Sequence, residues 1–103
     1  MDVSLTFNTG ASAIQGKPVT VGVRVSATVD PVGKVEVWGF QAPGTSPRDE
    51  TGWAKIGEVL SSAGSFNWDT SQWLVGSHAI AILVYNQLGG LYATWFPGNI
   101  SVR

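Results

Sequence analysis

Val19-Thr20-Val21-Gly22-Val23-Arg24-Val25-Ser26-Ala27 places an apolar side chain at every second position, with polar or small residues between. Successive side chains of a strand point to opposite faces, so this two-residue period predicts a strand with one face buried and the other in water. Gly16-Lys17-Pro18 precedes it as a turn, and Asp30-Pro31-Val32-Gly33 closes it with type I or II turn chemistry.

Working outward from this segment, the same reading predicts strands over residues 3–7, 34–40, 53–59, 65–69, 78–86 and 91–96, with a tail at 100–102. Seven short strands separated by turn residues indicate an all-β sandwich or barrel. No segment carries a sustained 3.6-residue apolar repeat with caps, so helix is limited to about one turn, near residues 70–73. The stretch 41–52 holds Pro43, Gly44, Pro47 and the Arg48-Asp49-Glu50 cluster, and is expected to be an exposed loop. No internal repeat or low-complexity segment interrupts the chain, which reads as one domain over residues 1–103.

Composition narrows the function. A domain of 103 residues hides very roughly two thirds of its unfolded surface and holds a core without staples. The chain has no cysteine, which removes disulfides, thiol nucleophiles and thiolate metal ligands together. Six basic residues against seven acidic ones, with no basic run, argue against nucleic acid as a partner. Nowhere do eighteen apolar residues run together, so no membrane-inserted helix is expected, and the first residues lack the pattern of a signal peptide. Only 13% of residues are charged, while Ser, Thr, Asn, Gln and Gly supply the solvent faces. That balance favours an extracellular or cell-surface setting, reached as part of a longer exported protein.

Four stretches carry a resemblance: Gly16-Lys17-Pro18-Val19-Thr20-Val21, Trp53-Ala54-Lys55-Ile56-Gly57, Phe66-Asn67-Trp68-Asp69-Thr70 and Gly76-Ser77-His78-Ala79-Ile80-Ala81-Ile82. In order and spacing the chain resembles bacterial immunoglobulin-like modules, including the triple-tyrosine type, which recur as accessory domains of surface and secreted proteins. The resemblance implies a two-sheet antiparallel immunoglobulin-like β-sandwich of about seven strands. Such modules often carry a tyrosine after the glycine corresponding to Gly76, whose hydroxyl ties down a corner loop; here that position is His78.

His78 is the only histidine, so a triad or metal site would have to use it, with Asp69 as the nearest acid in sequence. No G-x-S-x-G motif and no second ligand accompanies it, and a corner donor or strand-mouth role is the expectation. Asp2, Asp30, Glu36, Asp49, Glu50, Glu58 and Asp69 are scattered, without the paired carboxylates of a glycosidase or the spacing of a calcium loop. No catalytic residue, metal ligand or cofactor is predicted. Asn99-Ile100-Ser101 fits a glycosylation sequon and is read as coincidence.

The aromatic residues are more informative. Trp53, Phe66 and Trp68 are expected in the core or at its rim, and Trp73 is expected to plug one end. If Val35 and Val37 point inward, alternation sends Glu36, Trp38 and Phe40 to the outer face of the sheet. In the 78–86 strand Ile80, Ile82 and Val84 would be inside, leaving Ala79, Ala81, Leu83 and Tyr85 outside. Trp38, Phe40, Leu83, Tyr85 and Trp95 are therefore predicted to form one apolar contact patch. With the family resemblance, this gives a non-catalytic accessory module acting as spacer, docking or protein-interaction domain. A carbohydrate-binding module stacking sugars on these aromatics and a self-associating structural subunit are the alternatives. Expected partners are neighbouring domains of the same parent protein or an identical copy, with polysaccharide as a further candidate.

Overall fold

Alternation governs the second long strand, where Val19, Val21, Val23 and Val25 are buried and Thr20, Arg24 and Ser26 are exposed. The computed structural model describes residues 1–26, 28, 30–40 and 52–103. Eight strands follow in chain order: β1 Asp2–Phe7, β2 Ser12–Ala13, β3 Val19–Ser26, β4 Val32–Phe40, β5 Trp53–Val59, β6 Ala63–Trp68, β7 Gly76–Asn86 and β8 Leu91–Val102. They form a three-stranded sheet in the order β1-β3-β6 and a five-stranded sheet in the order β2-β8-β7-β4-β5.

The all-β reading holds, and no described residue is helical. The strand count and the uniformly antiparallel arrangement require correction. The short β2 adds an eighth strand and pairs parallel to β8 through Ser12–Ser101 and Ala13–Val102. Two residues are too few to display a period, which is why β2 is silent in the sequence. The tail at 100–102 is the continuation of β8 rather than a separate element. Phe96, Pro97 and Gly98 together face the single residue Ile80, and this bulge lets the strand pass its proline unbroken. The turn expected at 70–73 is a hydrogen-bonded turn, Trp73 N donating to the Thr70 carbonyl at 3.0 Å. The predicted loop at 41–52 lies outside the described residues except for Gly52.

Residues from both sheets meet in one apolar cluster: Leu5 and Phe7 of β1, the β3 valines and Trp68 from one sheet, and Val35, Val37, Ile80, Ile82, Val84, Ile100 and Val102 from the other. Burying a valine or isoleucine contributes about 1.5–3 kcal/mol each, an upper estimate because the unfolded chain is already partly collapsed. An aromatic series threads this cluster. Phe96, Phe7, Trp68, Trp73 and His78 meet in succession edge to face, with ring centroids 5.1–6.2 Å apart. Trp73 has room only because Gly39 lies beneath it; a Cβ there would run into the indole ring.

Thr70 is fully buried and joins the two ends of the chain's first corner. Its Oγ1 accepts from Gly16 N at 3.0 Å and lies 3.2 Å from the carbonyl oxygens of both Ile14 and Lys17. Gln15 Nε2 adds a donated bond to the Trp73 carbonyl at 2.6 Å. Removing one partner of a buried hydrogen bond leaves the other unsatisfied, at a cost of about 1–3 kcal/mol. Thr70→Val, which keeps the shape and deletes the hydroxyl, is therefore expected to lower unfolding free energy by about that amount. Urea denaturation followed by tryptophan fluorescence measures it, and an unchanged midpoint would remove the hydroxyl from the account of stability.

Candidate functional site

The register of β4 with its neighbours decides which side chains share the outer face of the five-stranded sheet. Val37 pairs with Ile82 and Val35 with Val84, all four in the core cluster, so Glu36, Trp38 and Phe40 point the other way, beside Leu83 and Ala81. On the far side of β7, Ala81 pairs with Trp95 and Leu83 with Ala93. On β5, Phe40 pairs with Trp53 and Trp38 with Lys55, while a bulge at Ile56 restores Glu58 opposite Glu36.

The predicted patch residues thus lie on one face, but they are not equally accessible. Trp95 is 57% exposed, Trp38, Phe40 and Tyr85 are half-buried, and Leu83 is buried. The expectation that Leu83 presents a contact surface is corrected by its burial on an interior strand, between Glu36 of β4 and Ala93 of β8. Trp53 also departs from expectation, since it is buried yet stands outside the core cluster. It leans across the outer face to meet Trp95 at a centroid distance of 5.5 Å and Phe40 edge to face at 5.0 Å. Trp53 and Trp95 come from strands with β4 and β7 between them, and the small residues Ala79 and Ala81 leave the space that the rings bridge. The Trp53 Nε1 hydrogen is buried and has no acceptor among the described residues.

Below the aromatic group lies a charged one that sequence reading missed. Glu36 is buried to 7% exposure; it accepts from Trp38 Nε1 at 3.2 Å, and Lys34 and Lys55 approach it at 3.1 and 3.3 Å. Lys55 also pairs with Glu58, and Lys34 sits 4.7 Å from the centre of the Tyr85 ring. Burial pushes the Glu36 carboxyl up, but the hydrogen bonds from Trp38 and Lys34 and the charge of Lys55 outweigh it, so its pKa is lowered. The Lys55 ammonium is raised, first by its bond to Glu58 and, against partial burial, by Glu36. The two-residue spacing of Lys34, Glu36 and Trp38 was the available signal, because equal parity puts all three on one face.

His78 is remote from this group. It is 3% exposed, with Nδ1 2.9 Å from the Phe40 carbonyl oxygen and Nε2 2.6 Å from that of Leu74, and its ring stands against Trp73. Asp69, the acid nearest in sequence, instead accepts from Ser71 N at 2.9 Å in a local turn, which lowers its pKa. Among the described residues no three His, Cys, Asp or Glu side chains gather as a metal site would require.

No protein-family model matches the chain, and no curated protein matches it in sequence. Solved structures do match. The superoxide reductase (neelaredoxin) from Ignicoccus hospitalis superposes with a TM-score of 0.71 at 13% identity, covering 100% of this chain and 81% of that one. Two single-residue variants of that protein match with TM-scores of 0.64 and 0.63 at 14% and 16% identity, each covering 97% of this chain and 80% of that one. At such identities the likeness is one of fold.

This finding corrects the resemblance to bacterial immunoglobulin-like modules, because the matched structures are superoxide reductases. The four quoted stretches report strand and turn chemistry, which many β proteins share, rather than descent. The same finding overturns the expected accessory-module function and the expectation of a non-catalytic chain, since the matched structures are enzymes by name. It lends no support to the carbohydrate-binding or self-associating alternatives.

The Glu36 cluster gives a pH dependence of definite sign. A carboxyl whose folded pKa is lowered stabilises the fold above its unfolded value, and that contribution disappears as pH falls through the folded pKa. Stability is expected to decline on acidification from near the ordinary glutamate value of 4.5 downward. Glu36→Gln should flatten part of this decline while costing about 1 kcal/mol or less at neutral pH, because Lys34 and Lys55 remain partly solvated. Urea midpoints measured from pH 7 to pH 3 test this, and parallel profiles for the two proteins would contradict it.

Proposed function

We propose that the two sheets close face to face as a sandwich and that the working surface of the chain is the outer face of the five-stranded sheet, where it meets a polypeptide partner. A single apolar cluster drawn from both sheets supports the sandwich. One observation carries the reading of the surface: the Trp95 indole is held by Trp53 yet remains 57% exposed. A large aromatic side chain whose orientation is already fixed loses little entropy on contact, which is why tryptophan and tyrosine dominate the energetics of protein interfaces. Leu91 adds exposed apolar area on the same strand and face, and the ion-paired Lys34, Lys55 and Glu58 provide a polar flank.

The name of the matched structures raises superoxide reduction, which converts superoxide to peroxide with one electron and two protons. That electron has to come from a redox-active centre, and the usual protein donors for redox metals are thiolates and imidazoles. This chain has no cysteine and one histidine, and both ring nitrogens of His78 face backbone carbonyls. The residues present do not fit such a centre, so no step is assigned through one. Shared architecture does not carry chemistry with it when the donor set differs.

A benzophenone photocrosslinker introduced in place of Trp95, and separately in place of Thr6 on the other sheet, tests the surface in cells of the source organism. Position 95 is expected to capture a discrete polypeptide and position 6 to capture none. Equal capture at both positions, or none at 95, would overturn the assignment.

A further inference from the structure

The strand that carries Trp95 has a second property. Within the five-stranded sheet β2 pairs with β8 only at Ser101 and Val102, so among the described residues the segment Leu91 to Gly98 has no strand on its outer side. The other side of this segment is paired with β7 from Tyr85↔Leu91 to Ala81↔Trp95. Alternate amides and carbonyls of the segment therefore point away from the sheet with their hydrogen-bonding capacity unused.

Exposed edges are ordinarily guarded by lysine, inward charges, bulges or short length. The β5 edge follows this rule, with Lys55, Glu58 and a bulge at Ile56. The β8 segment does not. Leu91-Tyr92-Ala93-Thr94-Trp95-Phe96 contains no charged residue, and its only guard is Pro97 with Gly98, which at φ 99° turns the chain beyond the open stretch.

A groove runs beside this edge. It has a volume of about 370 Å³ and lies between β8 and β1, the edge strand of the other sheet, with Val3, Leu5, Ile82, Thr94 and Phe96 among its walls. The phase of β8 divides the surroundings of any added strand. Tyr92, Thr94 and Phe96 line the groove, Leu91 and Ala93 belong to the outer face, and Trp95, on the outer face by parity, also lines the groove.

We infer that the free edge of β8 accepts an extended peptide segment of another protein by strand addition, one set of its alternate side chains entering the groove and the other lying beside Ala93 and Trp95. The occupant follows from the chemistry of the edge. Only another backbone in extended conformation supplies donors and acceptors at the two-residue spacing that β8 leaves open, and pockets for alternate side chains then give selectivity. The uncharged edge, and groove walls that are apolar at Val3, Leu5, Ile82 and Phe96 with Asp2 as the one charged residue among them, fit a segment rich in valine, isoleucine or threonine, without acidic residues at its centre. The inference rests on the preceding reading for the partner's being a polypeptide, and it adds the edge, the backbone register and the class of segment.

The test uses the isotopically labelled chain and a short soluble peptide of alternating valine and threonine, with a second version N-methylated at alternate residues. Binding at about ten times the dissociation constant is expected to slow amide exchange about tenfold at alternate residues between 91 and 97, and N-methylation is expected to abolish the effect. Persistence of binding with the N-methylated peptide would overturn strand addition, as would absence of protection with either peptide. Protection that grows with protein concentration before any peptide is added would also overturn it, since the edge would then be closed by a second copy. A shift of the Trp95 indole signal without amide protection would leave the contact face standing and reject the edge, so the two readings fail separately.

Discussion

The pairing of Val37 with Ile82 in the middle of the five-stranded sheet holds the rest of the molecule in place. A strand's side chains alternate, so this single register sends Val35, Val37, Ile80, Ile82 and Val84 into the apolar cluster that both sheets share and Glu36, Trp38, Phe40, Ala81 and Leu83 to the opposite face. A slip of one residue would bury the Glu36 carboxylate in the valine layer and expose the isoleucines. The cost of desolvating an unpaired charge makes that alternative inaccessible, so the buried cluster and the charged cluster specify the same register from opposite sides.

Once the register is set, two unlike surfaces follow from it. Inward, the β3 valines meet those of β4 and β7, and the aromatic series from Phe96 to His78 fills the volume that branched aliphatic residues leave. Outward, small residues on β7 leave a shallow floor, and Trp53 and Trp95 close over it from strands on either side. Corner contacts then tie these layers to the turns. Thr70 holds the segment before β3, and His78 holds the carbonyls that end β4 and follow Trp73.

Much of this was legible in the sequence because the relevant signals are local. The valine alternation of β3, the parity that places Trp38 and Phe40 opposite Val37, and the strand content all follow from periods of two. What could not be read depends on distance between strands. Trp53 has the correct phase and spacing for a core residue, but the bulge at Ile56 and the open floor over Ala81 turn it to the outer face. Leu83 has the parity of a contact residue and is covered by neighbours that no spacing reveals. Thr70 looks like an ordinary turn residue until the chain brings Gly16 beside it, 54 positions earlier. Family assignment fails for a related reason: short valine strands and Gly-Pro turns are general solutions to building a sheet.

The solitary histidine is set into the fold at a corner between β4 and β7. A strand mouth that ends two backbone segments within reach of one side chain needs a compact donor, and imidazole offers nitrogens on opposite sides of a flat ring that also packs against Trp73. In this chain the two nitrogens face the Phe40 and Leu74 carbonyls, and the ring supports the corner. The likeness to the superoxide reductase structures is one of fold. The surfaces that the register leaves unconstrained carry the aromatic pair above Ala81 and the uncharged edge of β8.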